Sequence, residues 1–257
     1  MEEIKRIADR CAILREGKLI TVLDVESSTT HDMAYHMVGR EVSFTIEKNP
    51  RQEREPVLSL ESLSVVNRDQ FQVVKNVSFT IHGGEIFAIA GVSGNGQLEI
   101  ADAIAGLMKA SAGTIKLNGK DITHMSIRER TREGMSYIPE DRQKVGLILD
   151  FPLWENLSIK NYDQEPYSVR GILNDEEMER YAERLIKEYD VRSGQGADSI
   201  VRSMSGGNQQ KCVMARALAT KPNVLILQNP TAGVDVAAKA SIMRSLDEIL
   251  NQGASIV

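Results

Sequence analysis

The sequence has little that would lock it covalently or carry it through a membrane. It contains two cysteines, Cys11 and Cys212, whose spacing suits neither a metal cluster nor a disulfide framework, as in a reducing compartment. No apolar run approaches the ~20 residues of a membrane helix, and the opening residues show no signal-peptide pattern, so a non-secreted chain is expected. Low-complexity sequence is absent from the globular part. There is no excess of positive charge either. With 31 Lys+Arg against 36 Asp+Glu the net charge is −5, which argues against a large nucleic-acid-binding face. A nucleotide held by backbone amides is not excluded. The 257 residues, 42% of them hydrophobic, suffice for one large domain or a domain with an appendage.

The chain is organised around Ile86–Leu107, IFAIAGVSGNGQLEIADAIAGL. Ile86–Ala90 reads as a buried strand. Gly91, Gly94 and Gly96 make a loop, and Glu99–Leu107 reads as a helix with Ile100, Ala103, Ile104 and Leu107 on one face. Strand, glycine-rich loop and helix form the frame of a phosphate-binding P-loop, G-x-x-x-x-G-K-[ST]. Glycines let the backbone approach phosphate, and the helix N-terminus offers unpaired N–H groups. Within GVSGNGQL (91–98), Gln97 stands where the phosphate lysine belongs and Leu98 where the magnesium-binding hydroxyl belongs. A hydrogen bond to a charged group contributes about 1.5–3 kcal/mol, so losing the lysine weakens phosphate binding about 10- to 100-fold. Alone, the frame is equally a strand–helix turn that needs glycine for packing.

Around this stretch, Glu2–Asp9 and Asp32–Val38 read as short helices flanking a hairpin, CAIL and LITVLDV, that turns at Glu16-Gly17. Glu47–Pro56 is polar and charged, with two prolines, and reads as a linker. VLSLESLSVV and FQVVKNVSFTI are strands joined by a turn at Asn67–Gln70, with more β pattern at Thr114–Leu117. Met135–Ile138 and Val224–Leu227 are buried strands. Asn174–Tyr189 is the clearest helix: Asn174 caps it, Glu177 completes a capping-box pattern, and Met178, Tyr181, Ala182, Leu185, Ile186 and Tyr189 form a core stripe. Lys211–Ala219 and Asp235–Leu250 are further helices.

A second glycine-rich turn, SMSGGNQQK (203–211), precedes a helix. By itself it is a helix cap. It stands after a P-loop frame and before VLILQNPTAGVD, and in that order the chain resembles the ATP-binding domains of ABC transporters. MSGGN (204–208) is similar to their LSGGQ signature, Val224–Asn229 to their Walker B strand, and Pro230–Thr231 with Val234–Asp235 to their D-loop. IPEDR (138–142), GLILDFPLWENL (146–157) and SGGNQQK (205–211) resemble the second ATP-binding half of bacterial simple-sugar importers, and PYSVRGIL (166–173) their nucleoside-importing branch.

The resemblance implies an α/β P-loop NTPase of the ABC ATPase type. It would have a mixed core sheet, an antiparallel β part over Val57–Gly84 and a helical lobe over Pro139–Ser203. Residues 1–46 would be the tail of a preceding ABC domain, 47–56 the linker, and 57–257 an ABC domain lacking its C-terminal end. Glu2–Val25 would then cover the place of that missing end. None of His31, His36, His82 and His124 stands at the family's switch-histidine position.

The resemblance also implies a nucleotide site of Gly91, Gly94, Asn95, Gly96, Gln97, Leu98 and Glu140, the last at the Q-loop position, with Phe71 the nearest aromatic for adenine. Gln228 and Asn229 replace the aspartate and glutamate that orient magnesium and the attacking water, so no residue here is expected to catalyse hydrolysis and no metal is expected in this pocket. Ser205, Gly206, Gly207, Asn208 and Gln209 would instead complete the ATP site of a partner half, coupled through Asp235. ATP and Mg2+ would act mainly there. Expected partners are the first ABC domain of the same polypeptide, permease membrane subunits and, indirectly, a solute-binding protein, with no nucleic acid, at the cytoplasmic face of the membrane. Glu140–Leu157, with Trp154, Leu147, Ile148, Leu149, Phe151 and Leu153, would dock the permease unless those residues fill the lobe's own core. The alternative is a soluble ABC protein regulating ribosomes or nucleic acid. A P-loop kinase or GTPase would need the lysine that Gln97 replaces and would have no use for MSGGN.

Overall fold

The computed structural model describes the chain except Glu16, residues 40–53, Arg68 and Ser93, and the side chain of Glu2. Most of the linker expected at Glu47–Pro56, and the boundary drawn at residue 46, lie outside the described residues.

The N-terminal part is α1 (Glu2–Ile7), a hairpin of β1 (Arg10–Arg15) and β2 (Lys18–Asp24), and α2 (Thr30–Val38). Gly17, with φ +75°, takes the left-handed turn of the hairpin. Helix α2 begins two residues before the expected Asp32. Thr29 Oγ1 accepts from Asp32 N (3.0 Å) and Asp32 Oδ2 accepts from Thr29 N (2.7 Å), a capping box that the hydrophobic pattern does not reveal. Ile13, Val25 and Met33 form a small core of their own, and α2 is the element of this part that lies against the last helix, α8 (Val236–Asn251).

Two sheets form the rest. The antiparallel sheet, in the order β4-β3-β5-β6, comprises β3 (Pro56–Val66), β4 (Gln72–His82), β5 (Ala110–Leu117) and β6 (Lys120–Asp121). The parallel sheet, in the order β11-β10-β7, comprises β7 (Met135–Ile138), β10 (Val224–Leu227) and β11 (Ser255–Ile256). Successive side chains of a strand point to opposite faces. In β10, Val224 and Ile226 join the core shared with the antiparallel sheet, while Leu225 joins the core shared with the helical lobe. Both faces are covered, so the strand reads as an unbroken apolar run.

Helix α3 (Gln97–Ala105) lies between the sheets with Ile100, Ala103 and Ile104 buried. It stops short of the expected Leu107. Gly106 takes φ +87°, and a Cβ there would lie 3.0 Å from Arg130 Nε, so the helix turns off and Leu107 is exposed. Arg130 donates to the Ala103, Ile104, Thr123 and Met125 carbonyls, placing a cation at the negative end of α3. It sits on α4 (Ile127–Arg132), whose Ser126–Glu129 capping box sequence reading missed. The buried strand expected at Ile86–Ala90 is reduced to one parallel bridge, Ile86 with Ile256 in the two-residue β11, and Ile86, Ala88 and Ala90 are exposed.

The lobe expected over Pro139–Ser203 is helical, with a small hairpin of β8 (Ser168–Val169) and β9 (Ile172–Leu173). Helices α5 (Leu153–Ser158) and α6 (Asp175–Glu188) pack together through Leu153, Leu157, Tyr181, Ala182 and Leu185, as the stripe on α6 predicts. Asn174 Oδ1 accepts from Glu177 N, but the return half of the box is missing: Asn174 N donates to Tyr167 O, and the Glu177 carboxylate pairs with Arg180. The lobe leads into α7 (Gly206–Leu218).

Ile104 is fully buried between the two sheets. Ile104→Ala is expected to cost about 2–5 kcal/mol, read as a lowered midpoint in denaturant at unchanged m.

Candidate functional site

The described residues of loop 91–98 keep left-handed glycine turns that suit a phosphate cradle. Gly94 and Gly96 take φ of +89° and +100°, and a Cβ on Gly96 would stand 2.8 Å from Val73 O on β4. Gly96 caps α3, whose first amides have no acceptor inside the helix. The side chains take the loop elsewhere. Gln97 folds back and its Nε2 donates to Val92 O (3.1 Å), lying where a Cβ on Gly91 would be 2.2 Å away. The amide thus crosses the loop, carries no charge and gives one of its two N–H donors to the loop itself. Val92 and Leu98 are exposed and apolar, and Asn95 holds the turn through its N–H to Val92 O (3.2 Å).

The positions after β10 are used internally. Gln228 Oε1 accepts from Glu140 N (3.1 Å) and lies 3.1 Å from Tyr137 Oη, which is 2.8 Å from Asp102 Oδ1 on α3. Asn229 Nδ2 donates to Glu140 Oε1 (2.8 Å). Magnesium needs hard oxygen ligands, usually a carboxylate or two beside phosphate oxygens. Here the hydroxyl position is Leu98, Gln228 Oε1 is shared between two neighbours, the Glu140 carboxylate accepts from an amide, and the Asp102 carboxyl is bound to Tyr137. The residues do not fit the ion. Among the described residues no cluster of three or more His, Cys, Asp or Glu suits a metal.

The second glycine turn opens α7. Ser205 is the N-cap, and its Oγ accepts from Asn208 N (3.4 Å) and Nδ2 (3.0 Å). The helix therefore begins at Gly206, five residues before the expected Lys211, and takes the turn into its first coil. Ser205 is exposed and Gly206 and Asn208 are partly so, whereas Gly207 and Gln209 are buried. Gln209 binds Gln143 Nε2 (2.9 Å) and Val201 O (3.1 Å), a structural task within the lobe. Asp235 caps α8 by accepting from Ala238 N (2.8 Å), with its Oδ2 3.2 Å from a Cβ placed on Gly207. Among the described residues no hydrogen bond joins loop 91–98 to the turn at Ser205–Gln209. Phe71, 69% exposed, closes the β3–β4 turn through Asn67.

Sequence reading gave no role to Tyr137, Asp102 or Arg142. Arg142, seen only as part of IPEDR, donates from its two terminal nitrogens to Ala232 O (2.9 Å) and Gly233 O (3.3 Å). Nothing in local pattern shows that residues ninety apart meet. Of the apolar segment 140–157, Leu147, Leu153 and Leu157 are core, Leu149 and Trp154 pack against that core, and Ile148 and Phe151 are exposed.

A parallel sheet, a glycine loop at the start of the helix under it and a second helix N-terminus on a lobe define a P-loop nucleotide-binding cassette. The family model for ABC transporters matches residues 74–232, and the chain belongs to that family. It is 41% identical to the guanosine import ATP-binding protein NupO of Bacillus subtilis, over 98% of this chain and 49% of that protein. It is 37% identical to the nucleoside import ATP-binding protein NupA of Lactococcus lactis, over 100% of this chain and 51% of the relative. A ribose import ATP-binding protein, RbsA of Clostridium tetani, is 36% identical over 100% of this chain and 50% of its own length. The chain thus spans about half the length of these relatives. A nucleotide-free ATP-binding cassette of an ABC transporter superposes with TM-score 0.65 at 22% identity, covering 79% of this chain and 80% of that one, which bears out the fold.

Burial, more than the Glu99 charge, raises the Asp102 carboxyl above its usual 3.8, against the opposing Tyr137 hydrogen bond. The folded chain then binds this proton more tightly than the unfolded chain. Its contribution is full below pH 3.8 and is lost as pH rises through the folded value. Asp102→Asn keeps a partner for Tyr137 and removes that loss. It is expected to raise the thermal midpoint at neutral pH, with the gain vanishing near pH 3.

Proposed function

We propose that this chain is the degenerate second half of an importer's ATP-binding protein and serves the nucleotide of a partner half. One contrast carries the reading. Gln97 spans the chain's own phosphate loop and its metal positions are consumed, while the Ser205 turn stands exposed at the N-terminus of a 13-residue helix. The first amides at that end have no acceptor inside the helix and lie at the positive end of its dipole, a fit for an anion brought by another subunit. Own-site hydrolysis lacks a lysine, a hydroxyl, a metal ligand and a base. ATP and Mg2+ act at the partner site, between the first half's P-loop and Ser205–Gln209, with Asp235 at the junction.

The relatives' names support a nucleoside or simple-sugar cargo, recognised by the permease and solute-binding subunits and not by this chain. The same names support attachment at the cytoplasmic face through the permease. The permease docks along Glu140–Leu157. There Val145, Ile148 and Phe151 are exposed, and Val145 lines a cavity of about 160 Å³ whose ionisable lining includes Arg130, Lys160 and Arg216.

Two measurements test this. The isolated chain should show no ATP hydrolysis above background, even as Gln97→Lys with Leu98→Ser, because Gln228 and Asn229 remain. Turnover restored by those two changes alone would refute the dead-site reading. In the assembled full-length protein, Ser205→Arg should abolish turnover at the partner site, since a bulky cation fills the γ-phosphate position; unchanged kcat would end the trans-acting reading.

A further inference from the structure

The replaced residues in this pocket fit one another. A family-type glutamate at position 229 would set a carboxylate against Glu140, and an aspartate at 228 would turn two oxygens toward the same place. Instead the Asn229 amide donates to the Glu140 carboxylate at 2.8 Å, and Gln228 Oε1 accepts the Glu140 N–H at 3.1 Å. Asn229 holds φ +41°, a left-handed conformation that asparagine adopts more readily than a longer acid. Two residues on, Arg142 spans the carbonyls of Ala232 and Gly233. Segment 140–142, which enters the lobe, is thus stitched along 228–233, which leads to Asp235.

The stitch reaches the exposed turn. A Cβ on Gly206 would lie 2.8 Å from Arg142 Nη2 and 3.4 Å from Gly233 O, so the guanidinium fills the space between the turn and the segment before Asp235. Its position is not one that local electrostatics selects. A cation beside a helix N-terminus faces the positive end of the dipole, and Arg142 Nε is buried with no hydrogen-bond partner. A group held at such cost in a place of contact between three segments sets their spacing.

We infer that Glu140, Asn229 and Arg142 form a metal-free latch that positions Asp235 and the Ser205–Gly207 turn for the partner's nucleotide. In a competent pocket a metal and a triphosphate bridge the same segments. Here side-chain amides, a carboxylate and a guanidinium bridge them permanently, so that movement of segment 140–142 reaches the turn whether or not the chain's own loop holds a nucleotide. These are positioning residues, and the inference rests on the trans-acting role proposed above.

The test uses the full-length protein assembled with its permease, reading kcat and KM for ATP together with the thermal midpoint. Asn229→Asp keeps size and backbone preference but sets a carboxylate against Glu140. It should lower kcat about tenfold with KM within about twofold, and the double variant Glu140→Gln/Asn229→Asp, which restores a donor–acceptor pair, should recover kcat to within about twofold. Arg142→Lys, which keeps the charge but loses the planar fork, should lower kcat with little change in midpoint. Unchanged kcat in Asn229→Asp, or a double variant no better than the single, overturns the latch. Ser205→Arg measured alongside separates the two claims. If it abolishes turnover while the latch variants do not alter it, the latch alone falls; if it leaves turnover intact, the trans-acting role falls, and the latch with it.

Discussion

Strand β10 is the member on which everything else is hung. Its backbone is paired in parallel on both edges, to β7 from Val224↔Met135 to Leu227↔Ile138 and to β11 at Val224↔Ser255 and Leu225↔Ile256. Its side chains are buried on both faces. Four apolar residues with no polar side chain to satisfy can take that place, and few other sequences can. The strand's C-terminal end is therefore fixed in all directions, and Gln228, Asn229, Arg142's two carbonyl acceptors and Asp235 follow within eight residues. The strand end thereby sets Gln228 and Asn229 against Glu140.

The electrostatics of the pocket follow from what has left it. Glu140 is exposed, and the Asn229 amide donates to its carboxylate at 2.8 Å. Asp102 and Tyr137 extend the same network into α3. Tyr137 has one proton for two acceptors, Asp102 Oδ1 and Gln228 Oε1, while Gln228 Oε1 already accepts from Glu140. The Tyr137 bond to Asp102 favours the carboxylate, while burial of Asp102 acts the other way and raises that carboxyl's pKa. The replaced positions make one connected network and do not behave as separate losses.

Local pattern showed the elements whose reasons are local. The stripe on α6, the VLIL strand and the glycine loop each follow from periodicity or from backbone demands within a dozen residues. Boundaries failed where a side chain decided them, as Thr29 and Asp32 start α2 and Gly106 under Arg130 ends α3, and α4, started by Ser126 and Glu129, went unread. The site divided in the same way. Gly94, Gly96 and Ser205 were legible because backbone geometry requires them, and Gln97 and Leu98 because a motif exposes a substitution. The bond from Gln97 to Val92 O, the Glu140–Asn229 pair and the reach of Arg142 depend on tertiary placement, which no window of sequence contains.

The glycines at 206 and 207 answer to two constraints at once. Arg142 and Ala238 crowd them from within the chain, with a Cβ on Gly207 only 3.0 Å from the Ala238 side chain. Packing accounts best for Gly207, since the short contact at Gly206 is with the far end of the Arg142 side chain. Packing does not account for Ser205, which is exposed, caps α7 through Asn208 and leaves the first amides of the helix without an acceptor inside it. Asparagine or aspartate caps a helix as well as serine, but aspartate there would repel an incoming phosphate and asparagine is bulkier. A small neutral cap over those amides suits an anion that arrives from another surface, while the Gly-Gly pair suits the latch behind it.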